Sequence, residues 1–208
     1  MLAAIDHLVY ACPDLEAGIE EIKRLLGVRA SPGGSHPGWG TCNALVSMGP
    51  TAYLEIIGPD PAQPDYDQPR VFGVSELAPP KLVTWAAKGD ELEGLRGLNL
   101  GDGASIGEVF AGSRDQPDGT TLCWRLTNPF TVLGDGLVPF FIDWGDSPHP
   151  AGAAVQGATL VALRAEHPNP EGIRLMLEQL ELELPLSAGP EPALVATIEG
   201  LKGQVELR

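Results

Sequence analysis

The chain runs to 208 residues, 43% of them hydrophobic, which excludes a disordered chain and suffices for one good-sized core or two small repeated units sharing one. Twenty-eight acidic residues against 13 basic ones give a formal net charge of −15, a field that repels phosphate backbones and anionic membranes and argues against nucleic acid as a partner. No apolar stretch reaches the roughly 18 residues that span a bilayer, so no membrane role is expected. The opening "MLAAIDHLVYACPDLEAG" lacks the basic and long apolar regions of a signal peptide. Three widely spaced cysteines, Cys12, Cys42 and Cys123, fit free thiols in a reducing cytoplasm, and no CxxC pair suggests zinc.

Taken in order, "AIDHLVYA" (4–11) is rich in β-formers and stops at Pro13, so it reads as a strand. "PDLEAGIEEIKRLLG" follows as a helix, with Asp14 as its cap, Leu15, Ile19, Ile22 and Leu26 on one face, and Gly27 as its stop. "VRASPGG" is expected to be a short strand running into the glycine loop "SPGGSHPGWG", which carries His36 and Trp39. "TCNALVSMG" and "TAYLEIIG" are two further strands around a Gly49-Pro50 turn. Residues 1–58 therefore form a β-α-β-β-β unit. The proline-rich "PDPAQPDYDQPRVFG" then reads as a linker or surface excursion.

The order repeats. "KLVTWAA" is a strand, "GDELEGLRGLNL" a short helix, "GEVFAGSRD" and "TTLCWRLT" strands around a Gln116-Pro117-Asp118-Gly119 turn, and "LVPFFIDWG" a last strand, giving a second unit over 81–145. A third, partial β-α-β-β copy is expected over 157–208, from "ATLVALRAE", the helix of "PNPEGIRLMLEQLEL", and the hairpin of "ALVATIEG" and "QVELR".

Alternation along strands assigns the faces. Ile5, His7 and Val9 share one face of the first strand, with Asp6, Leu8 and Tyr10 on the other. Thr41, Asn43, Leu45 and Ser47 share a face of the third, and Tyr53, Glu55 and Ile57 of the fourth. In one sheet, His7, Asn43, Tyr53 and Glu55 converge on a common polar face. Leu8, Cys42, Ala44, Val46, Leu54 and Ile56 form an apolar face for the helix to cover. The glycine loop can fold over the polar end, so His36 is expected above the site and Trp39 at its rim. Asn43 either contacts substrate or holds the glycine loop by a hydrogen bond.

The segments "IDHLVYACPDLEAGIEEIKRLLGV", "GGSHPGWGTCNALVSMG" and "AYLEIIGPDP" resemble the first module of a glyoxalase-like protein of the vicinal oxygen chelate superfamily, the group that includes bleomycin-resistance proteins and ring-opening dioxygenases. The resemblance implies an α+β fold in which repeated βαβββ modules form a cup-shaped mixed sheet with helices outside, here one domain over 1–208. It also implies a divalent metal (Fe, Mn, Ni or Zn) held by residues of the first and last strands, His7 and Glu55 by position. Their counterparts in the second unit fall near Trp85 and Ile142, neither a ligand, with Asp143 one residue over and on the wrong face. His36, His149 or Glu206 would have to supply a third ligand.

The expected site is thus His7 and Glu55 as metal ligands, Glu55 and His36 as catalytic groups, and Asn43, Trp39, Tyr53 and Trp85 as substrate contacts. His149, between two prolines at a module junction, reads as structural, and His167, ahead of a helix, as a surface or capping residue. The function expected is an enzyme acting on a small molecule in the cup: a metal-dependent lyase or isomerase, or a dioxygenase. Two alternatives stand beside it, a metal-free protein that sequesters a small molecule in an aromatic cup, and metal-free acid/base catalysis by His7 or Glu55 on a carbonyl compound. Assembly as a homodimer is open.

Overall fold

A computed structural model describes residues 2–101, 103–115 and 119–208. The expected turn residues Gln116, Pro117 and Asp118 lie outside the described residues.

The first unit forms as its sequence dictates. Strand β1 (Ile5–Ala11) leads to helix α1 (Leu15–Leu26), where Asp14 accepts the Ala17 N–H at 3.0 Å and Gly27, at φ +80°, closes the last turn onto the Lys23 carbonyl. Strands β2 (Ser31–His36), β3 (Thr41–Ser47) and β4 (Tyr53–Pro59) complete it. His36 is therefore the last residue of a strand, and the expected glycine loop shrinks to the turn 37–40. The second unit contains β5 (Lys81–Lys88), the one-turn helix α2 (Leu92–Leu95), β6 (Val109–Asp115), β7 (Thr121–Thr127) and β8 (Phe140–Asp143).

These eight strands make one sheet in the order β2-β3-β4-β1-β5-β8-β7-β6. In each half the first strand lies parallel to the fourth, β1 to β4 and β5 to β8, and β1 and β5 meet antiparallel at the centre. The repetition of element order is thus a repetition of topology. The edge strands β2 and β6 approach one another, so the sheet curls into a nearly closed cup.

The third unit differs from the expectation. It comprises β9 (Thr159–His167), α3 (Pro170–Gln179), the unexpected strand β10 (Leu186–Ala188), β11 (Ala193–Gly200) and β12 (Gly203–Leu207). They form a separate sheet, β10-β9-β11-β12, in which the first strand neighbours the second and third instead of the fourth. It is not a third copy of the module. This sheet packs over α1 and β5 on the convex side of the cup.

Two cores result. The larger, on the convex side, contains Leu8, Val46, Leu54, Ile56 and Trp85 with Leu163 and Ile198 of the second sheet and Leu177 of α3. The smaller lines the concave side with Val9, Ala11, Ile57, Leu126, Phe140 and Ile142. The proline-rich segment does run over the surface through residues 61–70, but its end and the residue beyond it turn inward. Val71 and Val74 are fully buried in this concave core, Phe72 packs with them, and the Arg70 guanidinium caps the Gly40 carbonyl at 2.8 Å. The segment plugs one end of the cup.

Candidate active site

The cup encloses a cavity of about 60 Å³ whose wall includes His7, His36, Trp39, Asn43, Tyr53 and Glu55. Every expected site residue but one therefore meets there. The exception is Trp85. Its indole lies on the convex side, 1% exposed, donating to the Leu137 carbonyl at 2.9 Å. Pairing explains the error: β1 shifts register against β5, so Trp85 stands opposite Leu8 while Ala86 stands opposite His7. Ile142 does line the cup, as an apolar wall, and Asp143 instead caps the Gly145 N–H outside it.

His7 is buried, stacked on Tyr53 at 4.6 Å and edged by Phe140 at 5.5 Å. Its Nδ1 bonds Asp6 Oδ1 at 2.8 Å. Alternation alone puts Asp6 on the opposite face. The register shift between Ile5 and His7 breaks the alternation, so Ile5 joins the convex core and Asp6 reaches its neighbour's ring. Asp6 Oδ2 also accepts Trp144 Nε1 at 3.1 Å and His149 Nε2 at 3.0 Å. His149 Nδ1 takes the Ala151 N–H at 3.2 Å, which fixes the proton of the neutral ring on Nε2, facing Asp6. Burial pushes the Asp6 carboxyl up, but hydrogen bonds from His149 and His7 outweigh it and bring it down to about 2. An ionised Asp6 in turn holds the His7 proton on Nδ1 and leaves Nε2 facing the cavity.

Across the cavity, Glu55 Oε2 lies 3.8 Å from His7 Nε2, too far for a direct hydrogen bond and near enough to grip one atom between them. The other oxygen, Oε1, accepts Asn43 Nδ2 at 2.5 Å. Asn43 Oδ1 receives the Gly34 N–H at 2.9 Å and Arg114 Nη1 at 3.1 Å. Asn43 thus holds the glycine segment and the carboxylate together. His36 bonds Thr41 Oγ1 through Nδ1 at 3.0 Å, and burial lowers its pKa, so it stands neutral at the rim beside Trp39. Burial keeps Tyr53 phenolic far above its usual range. Burial likewise raises the Cys12 thiol to about 12 and Cys42 to about 11, leaving both inert.

The donor set does not fit a resident metal. Catalytic zinc and iron sites are typically held by three protein ligands. His7 and Glu55 supply two, and no group of three His, Cys, Asp or Glu side chains among the described residues could complete the set. His149 is engaged with Asp6, and Glu206 pairs with Arg164 on the second sheet. The position facing Glu55 in the second unit is apolar Ile142, and the remaining polar wall includes a cation, Arg114.

Sequence reasoning missed Asp6, His149 and Arg114. Asp6 and Arg114 sit in strands where alternation is the available signal, and a bulge or an edge pairing decides their fate. His149 reads as structural from its place between two prolines at a module junction, and its partner Asp6, 143 residues away, leaves no local signal.

A family model described as a glyoxalase-like domain matches residues 5–181. Among solved structures, a hypothetical protein from Staphylococcus aureus superposes with a TM-score of 0.60 at 14% identity, over 97% of this chain and 83% of that one. Methylmalonyl-CoA epimerases from Streptomyces coelicolor and Mycobacterium tuberculosis both give 0.43. Their identities are 17% and 15%, over 67% and 68% of this chain and 95% and 88% of theirs. No curated protein sequence matches the chain. No helix among the described residues is long and apolar enough to cross a membrane. The family match over most of the chain and the paired modules around one cup agree, and the chain belongs to the glyoxalase-like domain family of the vicinal oxygen chelate superfamily.

Proposed function

We propose that this protein is a cytoplasmic, metal-independent enzyme that moves a proton on a small carbonyl compound held in the cup, an isomerase or lyase. One observation carries the reading: His7 and Glu55, buried and each braced by a further side chain, face each other across 3.8 Å of cavity. The three unpaired thiols support the reducing compartment.

In this reading Glu55 Oε2 takes the proton from the carbon beside the carbonyl, and the electron pair moves onto the carbonyl oxygen. His7, its Nδ1–H held by Asp6, acts on that oxygen through Nε2, which in the imidazolium form of the ring donates its N–H there as charge develops. With a hydroxyl on that carbon, His7 Nε2 takes the hydroxyl proton as Glu55 delivers its own to the former carbonyl carbon, which completes an isomerisation. With a β-substituent, His7 takes back the enol proton as the substituent leaves with the proton held by Glu55, which completes an elimination. Asn43 keeps Oε1 occupied, so Oε2 is the basic oxygen.

The test is deuterium exchange followed by proton NMR over a panel of small ketones and 2-oxo acids. We expect exchange at one carbon, slowed on the order of a hundredfold or more by Glu55→Gln. A compound that binds wild type yet exchanges no faster than in buffer overturns the proposal. That outcome favours sequestration, for which the aromatic wall of Trp39, Phe72, Trp124, Phe140 and Trp144 argues.

A further inference from the structure

Arg114 is the unexplained charge in the cup. The other arginines that make ion pairs (Arg29, Arg96, Arg125 and Arg164 among them) meet glutamates at the surface. Arg114, in β6, lines the cavity and makes no ion pair among the described residues. Its one side-chain hydrogen bond there is to a neutral amide oxygen, that of Asn43, at 3.1 Å. The guanidinium thus keeps donors and a whole positive charge in a protein of net charge −15.

The sequence makes room for this cation. Strand β2 bulges between Pro32 and Ser35, at Gly33-Gly34. A Cβ on Gly33 would stand 2.0 Å from Asn43 Oδ1 and 2.9 Å from Arg114 Nη1, and a Cβ on Gly34 would stand 3.1 Å from Arg114 Cδ. Only a bare backbone lets the side chain cross from β6 over the edge of β2 into the cup. Beyond it, the inner cavity is continued by an outer chamber of about 270 Å³ that shares His36, Trp39 and Trp124 with it.

We propose that Arg114 anchors an anionic ligand, and that the ligand is a small carboxylate with an aromatic or apolar tail. The planar guanidinium matches a carboxylate edge to edge. Trp39 and Trp124 offer faces for the tail in the outer chamber. The inference rests on the cup being the ligand site of the proposed enzyme, and narrows its substrate to carbonyl compounds that also carry a carboxylate.

The test titrates benzoate and its neutral isostere benzamide into wild type, Arg114→Gln and Arg114→Lys, read by quenching of the cup tryptophans and by calorimetry. Wild type is expected to bind benzoate at least about tenfold tighter than benzamide. Arg114→Gln should abolish that preference with benzamide affinity unchanged, and Arg114→Lys should retain part of it. Equal binding by wild type, a preference that survives Arg114→Gln, or binding of neither probe overturns the proposal. Repeating the titration in Glu55→Gln separates this inference from the catalytic one. A benzoate preference that persists there, with deuterium exchange lost, supports the anchor independently of the proton transfer. An anchor that fails leaves Glu55-dependent exchange on neutral ketones intact.

Discussion

A carboxylate with no solvent contact is costly unless its charge is answered, and Asp6 is answered three times, by His7, His149 and Trp144. Its folded-state carboxyl, near 2, lies below the ordinary 3.8, so the native state favours the ionised form. The sign follows. This contribution is complete above the ordinary carboxylate value and is lost as pH falls through about 2, and its size is about 2 kcal/mol. His36 adds to the same trend. Burial depresses its pKa, so as pH drops below that of a free histidine the unfolded chain gains a proton that the folded one refuses. Acid should therefore destabilise the protein in two stages, the first through His36 and the second through Asp6. Asp6→Asn should cost about 2 kcal/mol at pH 7, since an amide cannot accept from three donors as a carboxylate does. In urea unfolding, the gap to wild type should narrow as pH falls below about 4. A gap that stays constant across that range would show that the charge of Asp6 contributes nothing.

At the scale of elements, strict alternation read β3 and β4 correctly. It placed Asn43, Tyr53 and Glu55 on the concave side and Ala44, Val46, Leu54 and Ile56 on the convex one. It failed wherever a strand slips. The shift at Ile5–His7 moved Ile5 off the face of His7 and brought Asp6 to it, and the pairing of β1 with β5 turned Trp85 away from the cup. Such shifts are set by the partner strand, which no local pattern contains. The plugging segment escaped for a related reason: its prolines and polar residues announce a loop, and Val71 and Val74 reveal burial only once the cup exists. The Gly33-Gly34 bulge is the element on which the site turns, and it yields a contrast. Gly33→Ala forces a methyl into Asn43 and should cost roughly 1–3 kcal/mol while displacing Arg114 and Glu55 together. Gly38→Ala, in open space at φ +78°, meets only backbone strain of about 1 kcal/mol and should leave ligand binding unchanged. Thermal melts and benzoate titrations check both. A Gly33→Ala protein as stable as wild type, with the same affinity, would mean that the close approach of Arg114 is incidental.

The whole molecule hangs on a shared core, and on that ground we propose a single domain over 1–208. The second sheet is not a neighbour with its own interior. Leu160, Leu163, Leu194 and Ile198 of that sheet and Ile173 and Leu177 of α3 are buried in one cluster with Leu8, Leu82 and Trp85 of the first. Backbone bonds tie the C-terminal part to the first unit: the Leu201 N–H, in the turn between β11 and β12, meets the Leu26 carbonyl at the end of α1 at 2.8 Å, and the Ser47 N–H of β3 meets the carbonyl of Val155, ahead of β9, at 2.9 Å. Gly200 lies so close that a Cβ there would stand 2.8 Å from Leu26 Cα. Burying one such leucine or isoleucine contributes about 1.5–3 kcal/mol, so losing half a dozen rivals the whole stability of a domain, on the order of 5–15 kcal/mol. Truncation after Gly152 would uncover that surface along α1 and β5. The fragment should therefore bind a hydrophobic dye, aggregate, and show no cooperative urea transition, while the full chain unfolds in one step at both sheets. The outcome bears on the site, because β5 braces β1, and β1 carries both Asp6 and His7. A soluble fragment with a sharp transition and intact benzoate binding would show the second sheet to be an addition that the cup does not need. A fragment that collapses would show that the convex core is what holds the dyad 3.8 Å apart.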